Sequence, residues 1–179
     1  MIENVNEKNL NEYEDFISHH PRGIMMFSHK WANVKKDWDF EAIMCKDENG
    51  NIKGTASALI RYIPVVKYAL IYCCRGFCCD VNDFDTFDEL FNGIKEVAKK
   101  HKGYVIKLDP EISVEETAFT EHIESLGFKK LGGGANFENV QPNFVYCLNI
   151  GSKTEDEVFA NFTSKTRYNT RLAERNGVT

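Results

Sequence analysis

Apolar residues recur at three- and four-residue spacing over residues 8–18, where Leu10, Tyr13, Phe16 and Ile17 fall on one side of a helix. Pro21 and Gly23 break the chain after it. A short helix is expected over 29–37, with Trp31, Val34 and Trp38 along one side. The period then changes. Residues 40–46 are strand-like, Asn49-Gly50 is a hairpin turn signal, and 52–63 is a second strand ended by Pro64. Residues 68–74 form a third strand, whose near-continuous apolar run suggests a central place in a sheet. The clearest helix is 84–100: Phe87, Leu90, Ile94 and Val97 belong to one apolar stripe, Asp83 suits the N-cap, and Lys99 and Lys100 suit the C-terminal dipole. Residues 104–108 are a fourth strand ending at Asp109-Pro110, and 115–125 a further helix closed by Gly127. Gly132-Gly133-Gly134 reads as a turn, and 143–150 as a fifth strand. Thr154 caps a last helical region that continues through Arg175, with a break expected near Thr163-Ser164. This order predicts an α/β fold, a mixed sheet flanked by helices.

Charge is distributed unevenly over that pattern. The net charge is −5, yet residues 160–179 hold four basic groups and one acid, leaving 18 basic and 26 acidic groups in the rest. Such a balance excludes a protein that coats nucleic acid, while local phosphate contact by the C-terminal helix stays open. No apolar run approaches the ~18 residues of a transmembrane helix. Met1 to Glu7 lacks the basic and apolar regions of a signal peptide, so a cytoplasmic location is expected.

The six cysteines include a Cys73-Cys74 and Cys78-Cys79 cluster. Adjacent strand residues point to opposite faces, so such pairs are poorly placed to share a metal, and no CxxC occurs. We read them as small apolar core residues and expect no metal and no cofactor. Nucleophile-elbow, P-loop and metalloprotease motifs are absent from the sequence. His19-His20 reads as a pair stabilised by a helix C-terminus.

Three stretches carry chemistry. In Trp31 to Trp38, lysines and indoles on a short helix can bind an anionic, partly planar ligand; they can equally be a half-buried amphipathic helix with solvated lysines. In Tyr104-Val105-Ile106-Lys107-Leu108-Asp109-Pro110-Glu111, a carboxylate at the C-terminal end of a strand sits where α/β sheets open to ligands; it can position an amine, or be a turn aspartate before proline. In the last helix, Arg167, Arg171 and Arg175 share one face at i,i+4 spacing with Lys165 nearby, suited to a phosphate backbone or to a solvated face.

These features, in this order, resemble the FemABX family of peptidoglycan-bridge aminoacyltransferases. Trp31-Ala32-Asn33-Val34-Lys35 is similar to the family's Trp-Ala-x-Val-Lys element, and Tyr104 to Glu111 to its strand end. Gln141-Pro142 is similar to its Gln-Pro-Arg-Tyr segment. Ser164-Lys165-Thr166-Arg167-Tyr168-Asn169 with Arg171 to Val178 is similar to the segment closing its first half. The resemblance covers nearly the whole chain. It departs at Arg75-Gly76-Phe77, where many relatives have Lys/Arg-Gly-Pro, and at Asn143, where an arginine usually stands.

The resemblance implies an acetyltransferase-like (GNAT-like) lobe, the first of two, with residues 1–160 as an acceptor-binding lobe and 161–179 as a basic helix leading to a second lobe absent from this chain. It implies tRNA-dependent aminoacyl transfer to the stem-peptide amine of a UDP- or lipid-linked muropeptide. Lys35 would contact the diphosphate, Trp38 would shape the cleft, and Arg75 and Tyr104 would bind substrate. Asp109 would orient the amine, and Lys165, Arg167, Arg171 and Arg175 would contact aminoacyl-tRNA. The surface left by a missing lobe would favour a homodimer. Two other classes are weighed beside it: a non-catalytic cell-wall-precursor or partner-binding module, and a CoA-dependent N-acyltransferase. The latter needs a glycine-rich pyrophosphate loop at a helix N-terminus that the sequence lacks.

Overall fold

The computed structural model describes residues 1–113, 115–131 and 146–178. The chain folds as two compact units, residues 1–132 and 133–179.

The first unit is built on a five-stranded sheet whose spatial order follows the chain: β1 (Ile2–Asn4), β2 (Asp39–Lys46), β3 (Ile52–Tyr62), β4 (Ala69–Cys73) and β5 (Gly103–Leu108). The first four strands pair antiparallel, and β5 runs parallel to β4. Parallel neighbours need a crossover. Helix α3 (Phe84–Lys100) supplies it, after α1 (Leu10–His19) and α2 (Lys30–Val34) and before α4 (Thr117–Ser125).

The period of two in the strands decides what each face receives. Ile43, Cys45, Ala58, Ile60, Ile71 and Cys73 point to one face, where Phe87, Leu90, Ile94 and Val97 of α3 and Phe119 of α4 close the core. Ala42 and Met44 point to the other and meet Tyr13 and Ile17 of α1. Further along that second face, Leu59, Tyr72 and Cys74 lie beneath Met26, Trp31 and Trp38. Helix α3 begins where the sequence places it: the Asp83 carboxylate accepts the Thr86 N–H at 3.0 Å and the Thr86 hydroxyl at 2.6 Å. Gly93 sits mid-helix because a Cβ there would stand 2.5 Å from Cδ1 of Ile43, so the helix lies close on the sheet.

Five of the six cysteines are buried, and Cys147 is exposed. Burial pushes the Cys78 and Cys79 thiols up to about 12. They stay protonated and fill small apolar volumes, as expected from the sequence.

The second unit holds α5 (Glu155–Ala160) and α6 (Ser164–Arg175). Thr154 and Glu157 form a reciprocal capping box on α5, and Thr163 caps α6 by accepting the Thr166 N–H at 3.2 Å. The break expected near Thr163-Ser164 is therefore a second N-cap.

Two expectations change, and one strand was not foreseen. Residues 146–150, the described part of the expected fifth strand, form no strand and lie exposed; within their own unit no described strand offers a ladder, and alternation alone cannot hold an unpaired strand. Helix α2 is five residues rather than nine, since the backbone leaves the helix at Lys35 and a turn from Lys35 O to Trp38 N places the second tryptophan separately. Strand β1 carries no alternation strong enough to foretell it from three residues. Gly132-Gly133-Gly134, Gln141-Pro142 and Asn143 lie outside the described residues. Among the described residues, no helix is long and apolar enough to cross a membrane.

Candidate functional site

Strands β4 and β5 end together, with Cys73 opposite Leu108, so Asp109 emerges at the shared C-terminal edge of a parallel pair. Such edges open toward ligands in α/β sheets. A turn made by Arg75 and Gly76, both left-handed at φ 59° and 79°, follows β4. Gly76 approaches Pro110 so closely that a Cβ would meet it at 3.1 Å. This turn aims the Arg75 N–H at Asp109 Oδ1, 2.6 Å away. The Tyr72 hydroxyl donates to Oδ2 at 2.7 Å. Among the described residues each carboxylate oxygen thus has one fixed donor, and its position is set by the sheet rather than by solvent.

Aromatic rings extend the site from there. Tyr72 lies 6.2 Å from the Trp38 ring, and the Arg61 guanidinium stands 5.4 Å from the centre of Trp38. Lys35 Nζ stands 5.5 Å from the Trp31 ring. Trp31 packs in the same cluster as Trp38 and Tyr72, and its buried indole N–H has no hydrogen-bond partner among the described residues. The loop carrying these rings is tied to α1 through Glu14, which accepts from the Ser28 hydroxyl at 2.7 Å and the His29 N–H at 2.8 Å. Burial pushes the Glu14 carboxyl up, but the His29 ring nitrogen 2.7 Å away, together with these bonds, outweighs it and holds it below its usual range. Such a surface can orient an amine at Asp109 and accept an anionic group near cations backed by indoles.

Of the residues singled out from the sequence, Asp109, Trp38 and Arg75 are joined by direct contacts with one another or through Tyr72, and Lys35 stands on the adjoining Trp31. Arg75 enters through its backbone N–H. Tyr104 is not brought in: it is the second residue of β5, five residues before Asp109 and ~16 Å away along the strand. It lines a shallow groove with Phe91 and Phe128, on the α3 side of the sheet. Sequence reasoning missed Tyr72 and Arg61. Alternation in the third strand was the available signal, since it puts Tyr72 on the face opposite Cys73.

Within the second unit, Ser164, Arg167, Tyr168, Arg171 and Arg175 border a depression of about 250 Å³. Arg167 donates to the carbonyls of Ala160 and Phe162, closing the end of α5. The Arg171 guanidinium lies 5.2 Å from the Phe159 ring. Part of the basic face therefore holds the helix pair together. Among the described residues, no three His, Cys, Asp or Glu side chains converge as metal ligands.

Comparison with known proteins places this geometry in context. The model of the FemAB family matches residues 9–179. A protein of Staphylococcus epidermidis named lipid II:glycine glycyltransferase is 35% identical over 171 residues, covering 93% of this chain and 41% of that protein. Its Staphylococcus aureus counterpart is 32% identical over 173 residues, covering 94% and 41%. The chain thus spans about two-fifths of the length of the curated relatives it matches. The crystal structure of FemX superposes with a TM-score of 0.81 at 30% identity, covering 97% of this chain and 43% of that one. An aminoglycoside N-acetyltransferase in complex with CoA shares the fold alone, with a TM-score of 0.51 at 15% identity over 75% of this chain and 95% of that one. The sheet is acetyltransferase-like, as expected.

Proposed function

The chain belongs to the FemAB family, and on that premise we propose that it is the acceptor-binding lobe of an enzyme that transfers an aminoacyl group to the stem-peptide amine of a lipid-linked peptidoglycan precursor. The doubly held Asp109 carboxylate, beside tryptophans that carry Lys35 and Arg61, is the observation that supports this reading. The name of the relatives, lipid II:glycine glycyltransferase, supports it as well.

The acceptor amine donates to Asp109 and is turned toward the ester carbonyl of aminoacyl-tRNA. Nitrogen forms the new amide bond, the ester C–O bond breaks, and the tRNA leaves with a free hydroxyl. Asp109 acts by orientation, fixing an amine near the angle of attack. Lys35 and Arg61 face the diphosphate of the precursor, with the indoles as an apolar wall. In residues 161–179, Lys165, Arg171 and Arg175 contact the tRNA backbone, while Arg167 also secures the helix pair. A second lobe completes the groove.

Calorimetric titration with UDP-N-acetylmuramoyl-pentapeptide tests the reading. Binding is expected, and Lys35→Ala should weaken it by ~1.4 kcal/mol, or tenfold. Binding that Lys35→Ala and Asp109→Asn both leave unchanged would overturn the assignment of this surface.

A further inference from the structure

We propose that the tip of the β3–β4 hairpin, residues 61–68, is a membrane-docking loop that seats this lobe on an anionic lipid bilayer.

The tip displays what globular surfaces normally hide. Val65 is 97% exposed, Val66 54% and Ile63 39%, with Tyr62 and Tyr68 half exposed on either side. This display is enforced by the backbone. Val65 and Lys67 adopt φ of 80° and 57°, a region that a β-branched residue resists. The loop is closed by the Ile63 N–H donating to Tyr68 O at 2.8 Å and the Val66 N–H to Pro64 O at 3.1 Å. Strain is thus held in place so that valines face outward.

Charge says what covers them. The chain carries −5 overall, yet the tip itself holds Arg61 and Lys67, and no aspartate or glutamate occurs from residue 49 to residue 79. An aliphatic tip between two tyrosines, inside a basic and acid-free stretch, matches the order of an anionic bilayer interface from acyl chains to headgroups. The base of the loop is anchored: the Tyr62 hydroxyl and His101 Nδ1 lie 2.5 Å apart, and His101 Nε2 lies 2.5 Å from Glu41.

The loop also stands in register with the candidate site. Tyr62 pairs with Ala69 at one end of β4, and Cys73 pairs with Leu108, just before Asp109, at the other. That separation is ~13 Å, with Arg61 and Trp38 between. A bilayer at the tip, a diphosphate at Arg61 and an amine at Asp109 follow the order of a lipid-linked acceptor. This alignment rests on the function proposed above; the docking loop itself does not.

Sedimentation of the chain with vesicles of phosphatidylglycerol and phosphatidylcholine tests it, with phosphatidylcholine vesicles as comparison. We expect binding to the anionic vesicles, at least ~tenfold less with Val65→Asp/Val66→Asp, and an intermediate loss with Lys67→Glu. An unchanged circular dichroism spectrum verifies that the exposed substitutions leave the fold intact. Absence of vesicle binding, or binding the double variant retains, overturns the proposal. So does a dimer in analytical ultracentrifugation that the double variant dissolves while vesicles are ignored, since a second copy then covers the tip. No muropeptide is present in these assays. Their failure leaves the acceptor reading intact, and failure of the muropeptide titration leaves the vesicle result intact.

Discussion

The two faces of the sheet come from the same alternating strands and end as different kinds of surface. On the α3 face, Leu90 and Ile94 are wholly buried in one apolar cluster with Ile43, Ile60 and Ile71. On the other face, at the end of β4, two tryptophans, a tyrosine and a carboxylate share the cover, and cations stand over the rings. A long amphipathic helix can close a face completely. A five-residue helix with a turn on each side cannot, and it leaves polar groups aimed at an opening. The difference separates the part of the molecule that holds the fold from the part available for chemistry.

The largest effect expected from breaking this contrast is on the closed face. Leu90→Ala should lower stability by about 4 kcal/mol, since the tightly packed helix leaves a cavity. Urea denaturation measures it, and the fraction still folded should bind muropeptide as before. On the open face the balance reverses. Asp109→Ala removes the acceptor shared by the Tyr72 hydroxyl and the Arg75 N–H, and should cost about 2 kcal/mol. The same titration that reads Lys35→Ala should show acceptor affinity falling with it. Tyr72→Phe, which keeps the ring on Trp38, is expected to lose about 1.5 kcal/mol of stability and a smaller part of the affinity.

The ties at the margins respond to pH. Burial pushes Glu41 up, but hydrogen bonds with Lys100 and His101 outweigh it, so its carboxyl stays below the ordinary 4.5. A depressed carboxyl stabilises the fold above 4.5 and loses that contribution as pH falls through its folded value. Glu41→Gln should therefore reduce stability at neutral pH and flatten the acid limb of a stability–pH profile, the two proteins converging once pH has fallen through the folded value of Glu41. The smallest change is a gain. Val65→Gly relieves a left-handed valine and should raise stability by about 1 kcal/mol in thermal unfolding, while weakening vesicle binding.

The α3 face was the legible one. Helix 84–100 announced itself by a stripe at 3.6-residue period and an Asp83 cap, and it formed with those bounds. Strands β2 and β3 followed from the strand-like runs on either side of the Asn49-Gly50 turn, and β4 from a near-continuous apolar run, which fits a strand buried on both faces. The open face was legible only by type. Asp109 stood out as a carboxylate after a strand, but its two donors come from Tyr72, 37 residues away, and from a left-handed backbone at Arg75. Tyr104 shared a motif with Asp109 and parted from it because a strand is extended and carries its two ends to opposite edges of the sheet. The basic helix was visible as charge; that Arg167 closes the end of α5 was not, because a backbone carbonyl has no signature in sequence.

By itself, the sequence determined most of the elements, the mixed α/β class, the family and the residue types able to bind an anion and orient an amine. These depend on local period, on turn residues and on motif order, all written along the chain. The tertiary structure alone decided which of those residues meet. Only strand register places Tyr72 beneath Trp38 and beside Asp109, and only the strained turn at Val65 and Lys67 leaves valines exposed at the hairpin tip. Contacts of long sequence separation are selected by packing of the whole sheet, and no local pattern encodes them.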